Sequence, residues 1–358
     1  MTATLSTPTA ARPRVATDYS ELAAAIHEQG LLERRYRYYA MKIGSVVAAF
    51  VGVWVAFAFV GESWAQLGIA AALGLVLTHL AFLSHDAAHR QVFHSGKAND
   101  WLARVLGSLL TGMSISWWVR KHTKHHAKPN QINFDPDIEP TVVVFYPEPD
   151  RPRGRITAFL MARQGWWFFP ILIVEGLNLH AQSMVTVNGR GPLKLRCTVL
   201  GMVAFRWAAY LSALFLLLSP GMAAAFLGVQ LAVFGVYMGC TFAPSHKGMP
   251  VAPENSKIDF FRRQVLMSRN ITGPQFMTFA MGGLNYQVEH HLFPSMPRPN
   301  LRKAREIVMP FCADRQVPYT ETSLLRAYVI VVRYLNKVGL VHRDPYQCPM
   351  VANLRPRG

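Results

Sequence analysis

Four apolar runs set the terms on which this chain can fold. Residues 43–60 and 63–84 form stretches of 18 and 22 residues without Asp, Glu, Lys or Arg. Residues 197–218 are broken only by Arg206, and residues 222–243 carry no charge at all. At 1.5 Å rise per residue, each run reaches across a hydrocarbon layer about 30 Å thick. Inside lipid a lone segment satisfies its own backbone only as a helix. The runs therefore predict an all-α membrane protein with four transmembrane helices in two hairpins.

The links between the runs predict the orientation. The turns "GE" at 61–62 and "SPG" at 219–221 hold no Lys or Arg, whereas the other ends lead into basic sequence. By the positive-inside tendency the two turns face outward, and both termini face the cytoplasm. A formal charge of +17 on a chain this apolar fits a basic face toward anionic lipid. A soluble nucleic-acid binder would be basic too, but without such runs, so nucleic acid is excluded as a partner. The four cysteines lie far apart with no CxxC pair, which argues against an iron–sulfur or zinc-ribbon module and against a disulfide framework. The first 40 residues contain no apolar core of a signal peptide. The chain is expected in the plasma membrane, with its N-terminus in the cytoplasm.

The remaining segments divide the chain into a cytoplasmic N-terminal part (1–40), a membrane domain (41–320) and a C-terminal helix and tail (321–358). Residues 1–20, rich in Thr, Pro and Ala, are expected to be disordered, and 21–40 to form an amphipathic helix. Residues 101–118 align Leu102, Val105, Leu106, Leu109, Leu110 and Met113, with Ser108 and Thr111 elsewhere, and predict one interfacial helix. Residues 158–187, interrupted by Pro170 and Glu175, predict an interfacial or re-entrant element. From about residue 300 two soluble helices are expected, the first burying Leu301, Ala304, Ile307, Val308 and Phe311. Trp117, Trp118, Trp166 and Trp167 read as an interfacial aromatic belt.

Eight of the 13 histidines gather at four places. "HDAAH" sets His85 and His89 at i and i+4; "HTKHH" sets His122, His125 and His126 at i, i+3 and i+4. "APSHKGM" carries His246, and "QVEHH" repeats the second spacing with His290 and His291 but with Gln287 in first place. Side chains at those intervals share one helix face. In the expected topology all four groups emerge at one depth beneath one leaflet, as a helical cap. Neutral imidazole is a good transition-metal ligand, and eight are too many for one tetrahedral zinc. They suffice for two metals with open positions for oxygen.

The three boxes, in this order and flanking two hairpins, resemble those of the integral-membrane fatty acid desaturases. "GGLNYQVEHHLFPSMPRPNL" is similar to the third box of the acyl-lipid and front-end branch, in which Gln opens the motif. The resemblance implies a non-haem diiron centre, O2 as co-substrate, and a fatty acyl lipid or acyl-CoA as substrate. It implies His85, His89, His122, His125, His126, His246, His290 and His291 as ligands. Gln287 is then a weak oxygen ligand or a hydrogen-bond partner of one. Asp86, Glu289 and Asn285 are candidates to orient imidazoles, and His180 and Arg206 to contact substrate. No HPGG haem motif occurs, so electrons are expected from a separate ferredoxin, rubredoxin or flavin reductase. A hydroxylase, ketolase or epoxygenase with the same centre is the nearest alternative, and a metal transporter or sensor the non-enzyme one.

Overall fold

A computed structural model describes residues 17–147, 154–185 and 193–340, in which the regular elements are helices apart from two three-residue strands. Helix α1 (Asp18–Glu28) starts where Thr17 and Ser20 form a capping box, and it buries Leu22 and Ile26 completely. The disorder expected through residue 20 therefore stops short, since 18–20 are helical; residues 1–16 lie outside the described residues. The single helix expected over 21–40 is also two pieces. The chain turns at Gly30, with φ +62°, and Tyr36 already begins a span.

That span is α2 (Tyr36–Val60), paired with α3 (Ala65–Ala88). Gln66 Nε2 closes the turn between them by donating to the Phe57 and Gly61 carbonyls at 2.9 Å each. After α3 come α4 (Gly96–Arg104), a π-helical segment (Val105–Thr111) and α5 (Ile115–Ala127), bent by 116° at the break. The interfacial helix expected over 101–118 is thus broken. Gly112 takes φ +88°, which favours glycine, and the chain reverses there. Ser108 and Thr111, expected on the outer face, are fully buried; Ser108 Oγ accepts from the Ile115 amide and Thr111 Oγ1 donates to the Leu106 carbonyl. Helices α6 (Arg155–Met161) and α7 (Gln164–Val185) meet at 87°.

Helices α8 (Leu193–Leu217) and α9 (Pro220–His246) complete the second hairpin. The Ser219 amide donates to Glu62 at 2.8 Å, so both short turns meet at one end of the bundle. The opposite ends of α3 and α9 run past the expected limits of 84 and 243, and those extra turns carry His85 and His246. Among the described residues four helices are long and apolar enough to cross a membrane, or up to six if each bent pair counts as one span. Helix α7 lies antiparallel on α9, with Gly176 and Gly235 at the crossing: a Cβ on Gly176 would strike the Leu231 carbonyl. Small residues of this kind let helices approach closely in lipid.

The rest forms the cap: α10 (Phe260–Leu266), β1 (Asn270–Thr272), α11 (Gln275–Ala280), α12 (Gln287–Leu292), α13 (Leu301–Asp314), β2 (Glu321–Ser323) and α14 (Leu324–Leu340). Strand β1 pairs in parallel with β2, Ile271 opposite Thr322. Leu22, Ile26, Phe261, Val265, Val288, Leu292, Leu301 and Val308 make one buried cluster. Each such side chain contributes roughly 1.5–3 kcal/mol on leaving water. This cluster seats α12, all six of whose residues are buried. Residues 341–358, part of the expected tail, lie outside the described residues.

Candidate metal centre

Each histidine group is held by the end of a different element. Helix α3 presents His85 in its last turn and His89 at its cap. Helix α5 begins where Ser114 Oγ accepts from the Trp117 amide and ends on His122, His125 and His126. At the end of α9, Arg269 donates to the carbonyls of Pro244 and Lys247, groups that a terminating helix leaves without partners. His246 lies between them in sequence.

The four groups converge into two adjoining pockets. In the first, one nitrogen from each of His85, His89, His122, His126 and His290 lies within 4.8 Å of all the others. His125, His246 and His291 meet the same criterion in the second. The rings of His126 and His291 stack across the boundary, 4.2 Å apart at 10°. His122 Nε2 and His126 Nε2 face each other at 2.9 Å. His85, His89, His290 and His291 each leave Nε2 buried without a hydrogen-bond partner, and Gln287 leaves its carbonyl oxygen so. Buried polar atoms are rarely orphaned. Five orphans around two imidazole clusters fit groups built to bind metal.

Hydrogen bonds at the far side of the rings fix which nitrogen faces inward. His125 Nδ1 donates to Asp135 at 2.9 Å, His246 Nδ1 to the Met267 carbonyl at 3.0 Å, and His291 Nδ1 to Gln264 Oε1 at 3.0 Å. Gln264 is itself oriented by donating to the His126 carbonyl at 3.0 Å. Such partners set the tautomer and the basicity of a ligand. Burial, reinforced by neighbouring imidazoles, pushes His126, His290 and His291 well below the usual imidazole range, so they are neutral at pH 7. His125 differs: burial opposes its charged form, but Asp135 and Asp137 outweigh that and raise its pKa.

The expected helpers fare differently. Gln287 Nε2 lies 2.8 Å from His246 Nε2, and Asp86 lies 3.5 Å from His85 Nδ1. Glu289 touches no imidazole; its carboxylate accepts from Tyr319 at 2.6 Å and Asn270 at 2.8 Å. Asn285 bonds Thr278. Arg206 and His180 serve the broken helix: Arg206 Nε approaches the Leu110 carbonyl, His180 Nε2 the Thr111 carbonyl, and Trp207 donates to Gly112. Those three carbonyls lose their helical partners at the break, and the two residues and Trp207 stand against them. Trp118 belongs to the site and not to a belt, stacking on His122 at 4.2 Å, whereas Trp166 and Trp167 are exposed. Asp135 and Gln264 were not singled out in the sequence, and Trp118 was assigned to the belt and not to the site. Trp118 had a signal, standing four residues before His122.

Beside His85 an apolar crevice opens between α3, the π-helical segment and α9, lined by Phe82, Gly107, Met113, Trp118, Met238 and Phe242. A family model described as fatty acid desaturase matches residues 62–323. The chain belongs to the fatty acid desaturase family. This desaturase is 28% identical over 354 residues to Delta(8)-fatty-acid desaturase 2 of Arabidopsis thaliana, covering 95% of its own length and 78% of the relative's. It is 29% identical to the acyl-lipid (9-3)-desaturase of Physcomitrium patens, covering 91% and 63%. It is 26% identical to the Delta(6)-fatty-acid desaturase of Caenorhabditis elegans, covering 91% and 76%. The desaturase is therefore an enzyme of lipid metabolism, built as a multi-pass membrane protein.

Proposed function

We propose that this desaturase inserts a cis double bond into a fatty acyl chain, carried on a lipid or on CoA, at a pair of non-haem irons. The observation that carries this reading is the pairing of two imidazole pockets, with orphaned inward nitrogens, beside an apolar crevice. His85, His89, His122, His126 and His290 would hold one iron, and His125, His246 and His291 the other, with the Gln287 amide beside them. Bound there, the irons would supply O2 activation and removal of two hydrogens from neighbouring carbons, oxygen leaving as water. The protein's part is positional. Asp135, Gln264 and the Met267 carbonyl keep Nε2 lone pairs turned inward. Phe82, Met113, Met238 and Phe242 present an apolar lining beside His85, the side from which an acyl chain would approach.

Two electrons come from a separate ferredoxin, rubredoxin or flavin reductase, and the basic surface suits an acidic donor. The absence of Lys and Arg from the turns at 61–62 and 219–221 supports an orientation with the histidine end in the cytoplasm of a bacterial cell. The relatives' Δ8 and Δ6 activities support a double bond counted from the carboxyl end. The test is expression in a host lacking unsaturated fatty acids, followed by mass-spectrometric mapping of double bonds. New cis-monoenes absent with a His290→Ala chain support the reading; hydroxylated or unchanged chains overturn it.

A further inference from the structure

Asp86 and Arg298 form an ion pair buried to 2% and 3% exposure, which ties the first histidine group to the loop after the last. Arg298 Nη2 lies 2.6 Å from Asp86 Oδ2 and donates to the Phe82 carbonyl at 3.1 Å. The other Asp86 oxygen is the one 3.5 Å from His85 Nδ1. The Arg298 amide donates to Tyr39 Oη, and Tyr39 donates to Gln91, which holds the Pro294 carbonyl at 2.8 Å. Space for the guanidinium stem is made by Gly283, at φ +83°, where a Cβ would lie 2.9 Å from Arg298 Cδ. That accounts for the second glycine of the pair before the third box; the first, Gly282 at φ +59°, lies against the Phe82 ring.

Two physical points separate this pair from ordinary stabilisation. Taking two charges out of water offsets most of their attraction, and apolar residues of similar volume do as well or better. Moreover, adjacent residues on a helix do not face each other. Asp86 follows His85 directly on α3, so its carboxylate stays by the imidazole only if a third group holds it there. We propose that Arg298 is a positioning residue for the metal centre: it pins Asp86 against His85 Nδ1, so that the Nε2 lone pair stays aimed into the five-imidazole pocket. The proposal rests on the dimetal reading above.

Removing one partner strands a buried charge and risks the fold. The decisive variant is therefore D86L/R298M, which removes both charges together and leaves His85 in place. Full-length protein in nanodiscs is loaded with Fe(II), and iron loss to a chelator is followed beside the thermal midpoint. The expected result is an unfolding midpoint at or above wild type, with about half of the iron released 10–100-fold more readily, the usual penalty for losing a ligand's orienting partner. R298K, which keeps a donor for Asp86, should recover most of the retention. In a His85→Ala background D86L/R298M should add nothing. Wild-type retention in D86L/R298M, or a further loss in the His85→Ala background, overturns the proposal. Failure of the wild-type chain to hold iron overturns the dimetal reading itself.

Discussion

Gln287 Nε2 lies 2.8 Å from His246 Nε2, where a histidine would bring a ninth imidazole to the centre. His246 already donates from Nδ1 to the Met267 carbonyl, so its Nε2 carries the lone pair, and the Gln287 side chain stands where that lone pair points. The Gln287 oxygen is left buried and unpartnered in the same pocket. Three imidazoles and an amide make a weaker set than five imidazoles. Gln287→His is expected to slow iron loss from that pocket and Gln287→Leu to hasten it, each by roughly 10-fold. Chelator competition reads both, and equal rates in all three proteins would remove Gln287 from the metal's surroundings.

The pockets divide the ligands, so single substitutions should divide the metal. His290→Ala is expected to weaken one site and His125→Ala the other, each leaving close to one iron per chain and abolishing product, with membrane insertion intact. Metal analysis of purified protein and lipid analysis of the host check this. Full activity in either variant would contradict the ligand set.

Long charge-free runs made the spans legible, and i, i+3, i+4 spacing brought out the histidine groups. Both signals are local. The helix ends beyond residues 84 and 243 were hidden because cap packing, and not lipid, holds those last turns. The break at Gly112 was hidden because Leu102 to Met113 keep helical spacing across it. Asp135 reaches His125 from ten residues away, and Gln264 reaches His291 from a separate helix. Contacts between elements leave no periodic trace, so those anchors appear only once the chain is folded.

Glu289 gives the cap a pH dependence. Burial lifts its pKa from 4.5 to about 7, although Tyr319 and Asn270 both donate to it. The unfolded chain releases this proton near 4.5 and the native one near 7, so stability falls as pH climbs between those values and levels off above. The span corresponds to about 3 kcal/mol. Buried neutral histidines shift stability the other way, so the comparison is with Glu289→Gln. The variant should lose less thermal stability than wild type between pH 5 and 7.5. Parallel melting curves would contradict the assignment.

At the crossing of α7 and α9 there is no room for a side chain on Gly176. Gly176→Leu should force the helices apart at a cost of at least about 1–3 kcal/mol and lower the thermal midpoint in detergent. An unchanged midpoint would mean that the helices do not cross there.

The most direct test of the centre is anomalous diffraction at the iron edge from crystals of the iron-loaded desaturase. Two peaks are expected, one among His85, His89, His122, His126 and His290, the other among His125, His246 and His291. A single peak, or iron bound away from these imidazoles, would contradict the two-iron centre.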